Sequence, residues 1–294
     1  MKLYIVGNGF DIFHGIPSRY SDFKEYLASC NQILHDHVIE YLPVEENWCN
    51  LEIAFANLDV DHVIDNAMQY LQSYSVDDWS DSFHHDYQYE LDKIVSDLSS
   101  ELKSQFCEWI SLLELPSFYN LPFDPLEIDR NEVFLTFNYT RTLEDVYRVD
   151  NEDVLHIHGE SNQDESKIIL GHSWSPEEIP DLNDVPNPED IDTRIMEGNE
   201  LVNDYFGKTF KPSEKIIRDH RVFFDNLDII EKVYVLGHSM SEVDLPYFEE
   251  VIKKVSEDAE WTVTYYGESE LEQHKETIKH LEVKNARFCT FDDI

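Results

Sequence analysis

The stretch that decides the fold reads Leu3-Tyr4-Ile5-Val6-Gly7-Asn8-Gly9-Phe10-Asp11. Its first four residues form an apolar run that predicts a short buried β-strand, and its two glycines predict a tight turn into a helix. Glycine lets the backbone approach a pyrophosphate closely, and the start of a helix presents free N–H groups and a partial positive charge. The pattern is incomplete, because Ile12 stands where the dinucleotide-binding pattern G-x-G-x-x-G has its third glycine. A turn without a ligand is therefore the alternative interpretation.

Strands and helices alternate along the rest of the chain. Further apolar runs predict strands at Glu132–Phe137, Val154–Ile157, Ser166–Leu170, Lys232–Leu236, Trp261–Tyr266 and Ala286–Thr290. Helical spacing of apolar residues dominates the region from about 20 to 130, which predicts a helical insertion. We therefore expect a single α/β domain over residues 1–294 with a Rossmann-like, mostly parallel sheet.

Several polar residues and glycines come directly after predicted strands. In a parallel sheet these positions share one rim, and ligands of such sheets bind at that rim. The positions are Gly7, Asn138, His158, Gly171, Gly237 and Gly267. Their common placement is the strongest indication of a binding site in the sequence.

The charge of the chain limits its partners. Asp and Glu number 62 and Lys and Arg only 22, which gives a formal net charge of −40. Such a charge repels nucleic acids and anionic lipids, so we expect neither direct nucleic-acid binding nor membrane binding. A phosphate-bearing ligand would have to be held locally by backbone N–H groups and a few cations. Solubility is the simple explanation of this charge, and the alternative is an acidic surface for a basic protein partner or mimicry of nucleic acid.

The sequence predicts a cytoplasmic protein without a metal. The apolar run at the start is too short for a signal peptide, and no run approaches the ~18 apolar residues of a membrane span. The four cysteines form no CxxC pair and suit a reducing compartment. The nearest approaches to a metal pattern, His35-x-His37 and His84-His85-Asp86, are explained by exposed polar faces.

Four blocks of the sequence resemble sirtuins in the same order. The run from Gly7 to Pro17 places Gly-Ile-Pro at the spacing of the sirtuin signature, and Thr136-Phe137-Asn138-Tyr139-Thr140 resembles the sirtuin Asn block. His158-Gly159 resembles the catalytic His-Gly pair, and Gly237-His238-Ser239 resembles the late Gly-Thr-Ser block that contacts the nucleotide. The combination of these blocks with Leu-Gly-His-Ser-Met-Ser-Glu-Val-Asp at 236–244 is more closely similar to the AbiH family of phage abortive-infection proteins. That family resembles a branch of the sirtuin-like NAD-binding clan. A four-Cys zinc module is missing from the sequence, which argues against protein deacylation.

The resemblance implies an NAD hydrolase that arrests an infected cell. Its catalytic residues would be Asn138, which orients water or a ribose hydroxyl, and His158, which accepts a proton near neutral pH. His156 is a competing base, because alternate residues of a strand point to the same face. The ligand-binding residues implied are Gly7, Asn8, Gly9, Phe10, Asp11, His14, Arg19, Gly237, His238 and Ser239. Asp11 would bond a ribose hydroxyl or cap a helix.

Other functions fit parts of the pattern. The same pocket would serve a sensor that binds NAD or another adenine nucleotide without cutting it, and NADP fits as well as NAD. An acidic protein-interaction factor without a nucleotide is a further alternative. Gly237-His238-Ser239-Met240-Ser241 resembles the nucleophile elbow of α/β-hydrolases, with Asp258 and His280 as partners, although Ser241 stands where that elbow needs glycine. An NAD hydrolase would harm its own cell unless its activity were restrained. The resemblance therefore implies control by an insertion that acts as a lid, by homo-oligomerisation or by a phage-derived trigger.

Overall fold

The computed structural model of the chain describes residues 1–73, 85–121, 123, 125–161, 164–187 and 191–294. The chain forms two compact units. The first contains Met1–Arg19, Cys107–Ile169 and Pro212–Ile294, and the second contains Tyr20–Phe106 and Leu170–Lys211. The predicted insertion at about 20–130 thus overlaps the second unit over 20–106, and this unit also takes in 170–211.

The first unit is built on a six-stranded parallel sheet, which confirms the predicted fold class. Its strands are β1 (Lys2–Val6), β2 (Val133–Thr136), β3 (Val154–His156), β4 (Lys232–Leu236), β5 (Glu260–Thr264) and β6 (Asn285–Cys289). Their order is β3-β2-β1-β4-β5-β6, so the direction of strand addition reverses between β1 and β4. This is the strand order of dinucleotide-binding Rossmann folds, in which ligands bind at the point of reversal.

The helices of the described residues are α1 (Asn8–Phe13), α2 (Tyr20–Cys30), α3 (Gln32–Tyr41), α4 (Leu51–Phe55), α5 (Val60–Met68), α6 (Asp86–Ser96), α7 (Leu102–Ser111), α8 (Thr193–Lys208), α9 (Ser213–Asp219), α10 (Arg221–Asp225), α11 (Leu245–Lys254) and α12 (Glu268–His280). A π-helical segment, Asp97–Glu101, joins α6 to α7. None of the helices in the described ranges is long and apolar enough to cross a lipid bilayer.

Both faces of the central strand β1 are buried, and its sequence shows how this is achieved. Leu3 and Ile5 belong to a core cluster that includes Tyr247 and Phe248 of α11. The alternate residues of β1 belong to a second cluster with Phe10 of α1. Because side chains of a strand alternate between faces, a continuous apolar run is what a doubly covered parallel strand requires.

One predicted strand is wrong. Residues 166–170 do not pair with the sheet, since Glu165–Lys167 form a 3₁₀ turn. A backbone hydrogen bond links this segment to the residues after β3, from Ile169 N to the carbonyl oxygen of His158 at 2.9 Å. Gly171 consequently does not follow a strand. It lies in the second unit, where a Cβ atom would overlap the carbonyl oxygen of Thr209.

The second unit is helical and contains a buried ion pair. Gly198 of α8 lies against α6, because a Cβ atom there would come within 2.5 Å of Tyr87 and 2.7 Å of Leu91. Lys211 is fully buried, and its Nζ atom lies 3.0 Å from an oxygen of Glu52. The hydroxyl of Tyr20 donates to the other Glu52 oxygen at 2.6 Å. A buried ammonium group needs such a partner, which explains the carboxylate in the apolar segment of α4.

Candidate functional site

The Gly-Asn-Gly turn after β1 packs directly on the turn after β4. Gly9 N donates to the carbonyl oxygen of Gly237 at 2.7 Å. A Cβ atom at Gly7 would lie 2.5 Å from the Cα of His238, and one at Gly9 would lie 2.8 Å from the Cα of Gly237. This contact requires glycine with or without a ligand, so phosphate binding by residues 7–10 and 237–239 remains a prediction.

Asp11 connects α1 with the loop after β2. Its carboxylate is buried and accepts hydrogen bonds from the hydroxyls of Thr140, at 2.5 Å, and Thr142, at 2.7 Å. It caps no helix, because the N-cap of α1 is Gly7 and no side chain caps this terminus. The capping interpretation is therefore wrong. Burial raises the pKa of Asp11 to about 6, although the donors from Thr140, Thr142 and Asn138 lower it.

Asn138 is buried beside Asp11. Its backbone N–H donates to the side chain of Thr136 at 3.1 Å, which holds the chain as it leaves β2. Its amide lies near enough to the Asp11 carboxylate to lower the pKa of that group. Within the described ranges, Asn138 Nδ2 has no hydrogen-bond partner of normal geometry. A buried amide nitrogen without such a bond is uncommon in proteins, and the acceptor that the Asn138 amide faces is the Asp11 carboxylate.

His158 and His238 lie on either side of Asp244. The Nε2 atoms of the two rings are 3.7 Å and 3.5 Å from the two Asp244 oxygens. His238 Nδ1 accepts a hydrogen bond from the backbone N–H of Met240 at 2.8 Å, so in the neutral ring Nε2 carries the proton and faces the carboxylate. The ring of Phe137 contacts both imidazoles.

Asp244 is not among the site residues that the sequence predicts. It stands in the stretch 236–244 that carries the family resemblance, eight residues after β4, and nothing local to the chain indicates that it meets a residue after β3.

His156 belongs to a different group of charges. Its Nε2 lies 2.8 Å from Glu144 Oε1, and its Nδ1 lies 3.0 Å from the carbonyl oxygen of Asn138. Arg141 pairs with Glu160 and lies 3.7 Å from Glu144. Potential metal-ligating atoms of Glu144, His156 and Glu160 lie within 4.8 Å of one another. The Arg141 guanidinium already pairs with both Glu144 and Glu160, which is why we interpret the group as an ion-pair network.

The expectation that His156 and His158 share a face is wrong. Strand β3 ends at His156, and the chain turns at residues 157 and 158. His158 consequently contacts Phe137 and Tyr247, both members of the core cluster with α11. His156 instead faces the turn Thr142–Val146, whose Leu143 and Val146 belong to the cluster with α1.

The remaining predicted site residues differ in accessibility. His14 is buried, with Nδ1 2.7 Å from the carbonyl oxygen of Phe10 and Nε2 2.6 Å from the hydroxyl of Tyr147. Both ring nitrogens of His14 are thus used within the protein, and burial lowers the pKa of the ring to about 4. Arg19 and Ser239 are exposed, and Asn8 bonds Ser18 through its amide. The ligand roles of these residues stay predictions.

The nucleophile-elbow alternative is wrong. Ser239 follows the carboxyl end of β4, whereas Asp258 precedes the amino end of β5. In a parallel sheet these positions lie at opposite ends of the strands, so Asp258 cannot act on Ser239. His84, of the His84-His85-Asp86 pattern, lies outside the described residues.

The strand order defines a Rossmann-like α/β protein. The buried polar residues Asn138 and His158 follow β2 and β3, and the glycine turns after β1 and β4 meet where the strand order reverses. The profile of the family described as "Bacteriophage abortive infection AbiH" matches residues 3–265. The chain belongs to this family, and the membership supports a role in phage abortive infection. No curated protein and no solved structure matches the chain significantly.

Proposed function

We propose that this protein is a sirtuin-like NAD hydrolase that releases nicotinamide and ADP-ribose from NAD during phage abortive infection. The observation that carries the proposal is the placement of the motifs on the sheet. The Gly-Asn-Gly turn, Asn138, His158 and the Gly237 turn follow β1, β2, β3 and β4, which are adjacent in the order β3-β2-β1-β4. They therefore surround the point of strand reversal, where dinucleotides bind in this strand order.

The reaction consumes one water for each NAD. The bond between the ribose C1′ and the nicotinamide nitrogen breaks, and its electron pair leaves with nicotinamide. A water oxygen then bonds to C1′, and its proton passes to a base. Asn138 orients this water through its amide, and His158 accepts the proton, a step worth about 10²–10⁴ in rate. We favour His158 over His156, because both ring nitrogens of His156 are held by oxygen acceptors.

The direct test is nicotinamide release from NAD by the purified chain, beside Asn138→Ala and His158→Ala. We expect release by the wild type and loss in both variants with an unchanged circular dichroism spectrum. Asn131→Ala and His280→Ala are matched controls, because both side chains are exposed and lie outside the site. Release that persists in both site variants would refute the assigned roles.

A sensor that binds a nucleotide without cutting it is the second candidate. The observation that favours it is the separate surroundings of the two residues, since Asn138 lies beside Asp11 and His158 lies beside Asp244. Calorimetry with NAD and with NADP distinguishes the candidates. Binding without nicotinamide release supports the sensor, whereas the absence of both supports the acidic interaction factor.

A further inference from the structure

The Asp11 carboxylate accepts hydrogen bonds from residues that are distant in the sequence. Thr140 and Thr142 are separated from it by 129 and 131 residues in sequence, yet their hydroxyls donate to its two oxygens. The two hydroxyl oxygens lie 3.1 Å from each other, so the three side chains form one compact group. This group fixes the loop that begins at Asn138 on the first turn of α1.

The chemistry of a carboxylate decides how the neighbouring amide must point. An ionised carboxylate accepts hydrogen bonds and donates none, and it offers about four acceptor positions, of which the two threonines use two. Asn138 is buried, and in the described part of the chain its Nδ2 atom has no other hydrogen-bond partner. Because the carboxylate that the amide faces only accepts hydrogen bonds, the NH₂ group is the end of the Asn138 side chain that points to Asp11. The amide oxygen is left pointing away from Asp11, available to accept a hydrogen bond from water or from a hydroxyl.

We propose that Asp11 is a positioning residue that fixes the orientation of the Asn138 amide. Its catalytic meaning rests on the proposed function, because an amide oxygen held in one direction is what would align the attacking water. A protonated Asp11 is able to donate, and it then no longer distinguishes the two ends of the amide.

Several other titratable groups lie near Asp11. His156 from β3 lowers the pKa of Asp11 by its charge, whereas burial raises it to about 6. His156 is itself bonded to Glu144, which pairs with Arg141. His238 after β4 faces Asp244, and burial of His14 on α1 lowers the pKa of that ring to about 4. Variants of Asp11 itself are therefore needed to assign a transition near pH 6.

The test observes the amide without any ligand. In ¹⁵N-labelled protein, the side-chain amide signals of Asn138, assigned by their loss in Asn138→Ala, are followed from pH 5 to 8. We expect a shift with a midpoint near the pKa of Asp11, about 6, that is lost in Asp11→Asn. Asp258→Asn, at an exposed carboxylate, should leave the transition unchanged. Thr142→Val should raise the midpoint, because it removes a donor to the ionised form.

Identical Asn138 signals and identical pH dependence in wild type and Asp11→Asn would overturn the proposal. A second readout is nicotinamide release. For Asp11→Asn we expect kcat to fall roughly 10-fold with a much smaller change in KM, and the decline of kcat below pH 6 to disappear. If the wild type releases no nicotinamide, the hydrolase proposal fails, while the amide titration still decides whether Asp11 orients Asn138.

Discussion

The backbone of Gly9 donates a 2.7 Å hydrogen bond to the carbonyl oxygen of Gly237, and so joins the turn after β1 to the turn after β4. Gly237 has a φ of +63°, and a Cβ atom there would overlap the backbone nitrogen of Phe10. The two turns meet where the strand order reverses. Their glycines are thus required by backbone packing, and this contact shapes any pocket at that position.

Gly237→Ala should destabilise the protein by at least about 2 kcal/mol, because it adds strain at positive φ and a backbone overlap. Urea unfolding measures the change. Gly207→Ala is the matched control, since Gly207 lies in α8 with nothing near a new Cβ. Alanine there should stabilise by about 0.5–1 kcal/mol. Equal effects of the two substitutions would contradict the packing role.

Asp11→Asn should change how stability depends on pH. The pKa of Asp11 is about 6 in the folded protein and near 3.8 when unfolded, so the folded state binds the proton more tightly. The stability contributed by this proton is complete below pH 3.8 and is lost as the pH rises through 6. Lowering the pH from 7 to 5 should stabilise the wild type relative to the variant by about 1 kcal/mol. If the wild type and Asp11→Asn differ in stability by the same amount at both pH values, the pKa of Asp11 is not raised by burial.

His158→Gln and His156→Gln should differ in nicotinamide release. We expect loss of about 10²-fold or more for His158→Gln, because glutamine keeps the size but removes the base. His156→Gln should have a smaller effect, through the bond to Glu144. The reverse ranking would assign the base to His156, and the measurement is initial rates at pH 7 with NAD.

Tyr147→Phe should cost about 1–3 kcal/mol, because it leaves the buried Nε2 of His14 without its hydrogen bond. Thermal or urea unfolding measures the loss. Tyr119→Phe removes a hydroxyl from a side chain that is 93% exposed and should have no effect. If Tyr147→Phe leaves the free energy of unfolding unchanged, a water molecule replaces the hydroxyl as the partner of His14.

Lys211→Met should destabilise the protein by about 3 kcal/mol or more, since it leaves the Glu52 carboxylate without its buried cation. Adding Glu52→Gln should recover much of that loss, because the amide oxygen still accepts from Tyr20. The coupling is read from a double-mutant cycle by urea unfolding. Additive losses would show that Lys211 and Glu52 do not stabilise each other.

The sequence alone determined the layers of the fold. The apolar run at 3–6 and its counterparts after residue 130 predicted parallel strands, and five of the six later strands occur within a few residues of the prediction. It also placed Asn138 and His158 directly after two consecutive strands of the chain. These features follow from local periodicity, which depends only on residues close in the chain.

Only the tertiary structure decided what these residues contact. The sequence could not show that Thr140 and Thr142 would bond Asp11, that Asp244 would lie between two imidazoles, or that a turn at residues 157 and 158 would separate His158 from His156. It also could not show that residues 170–211 would join the second unit. Such contacts join segments far apart in the chain, and they are selected by close packing and by the need of buried polar groups for partners, which no local pattern records.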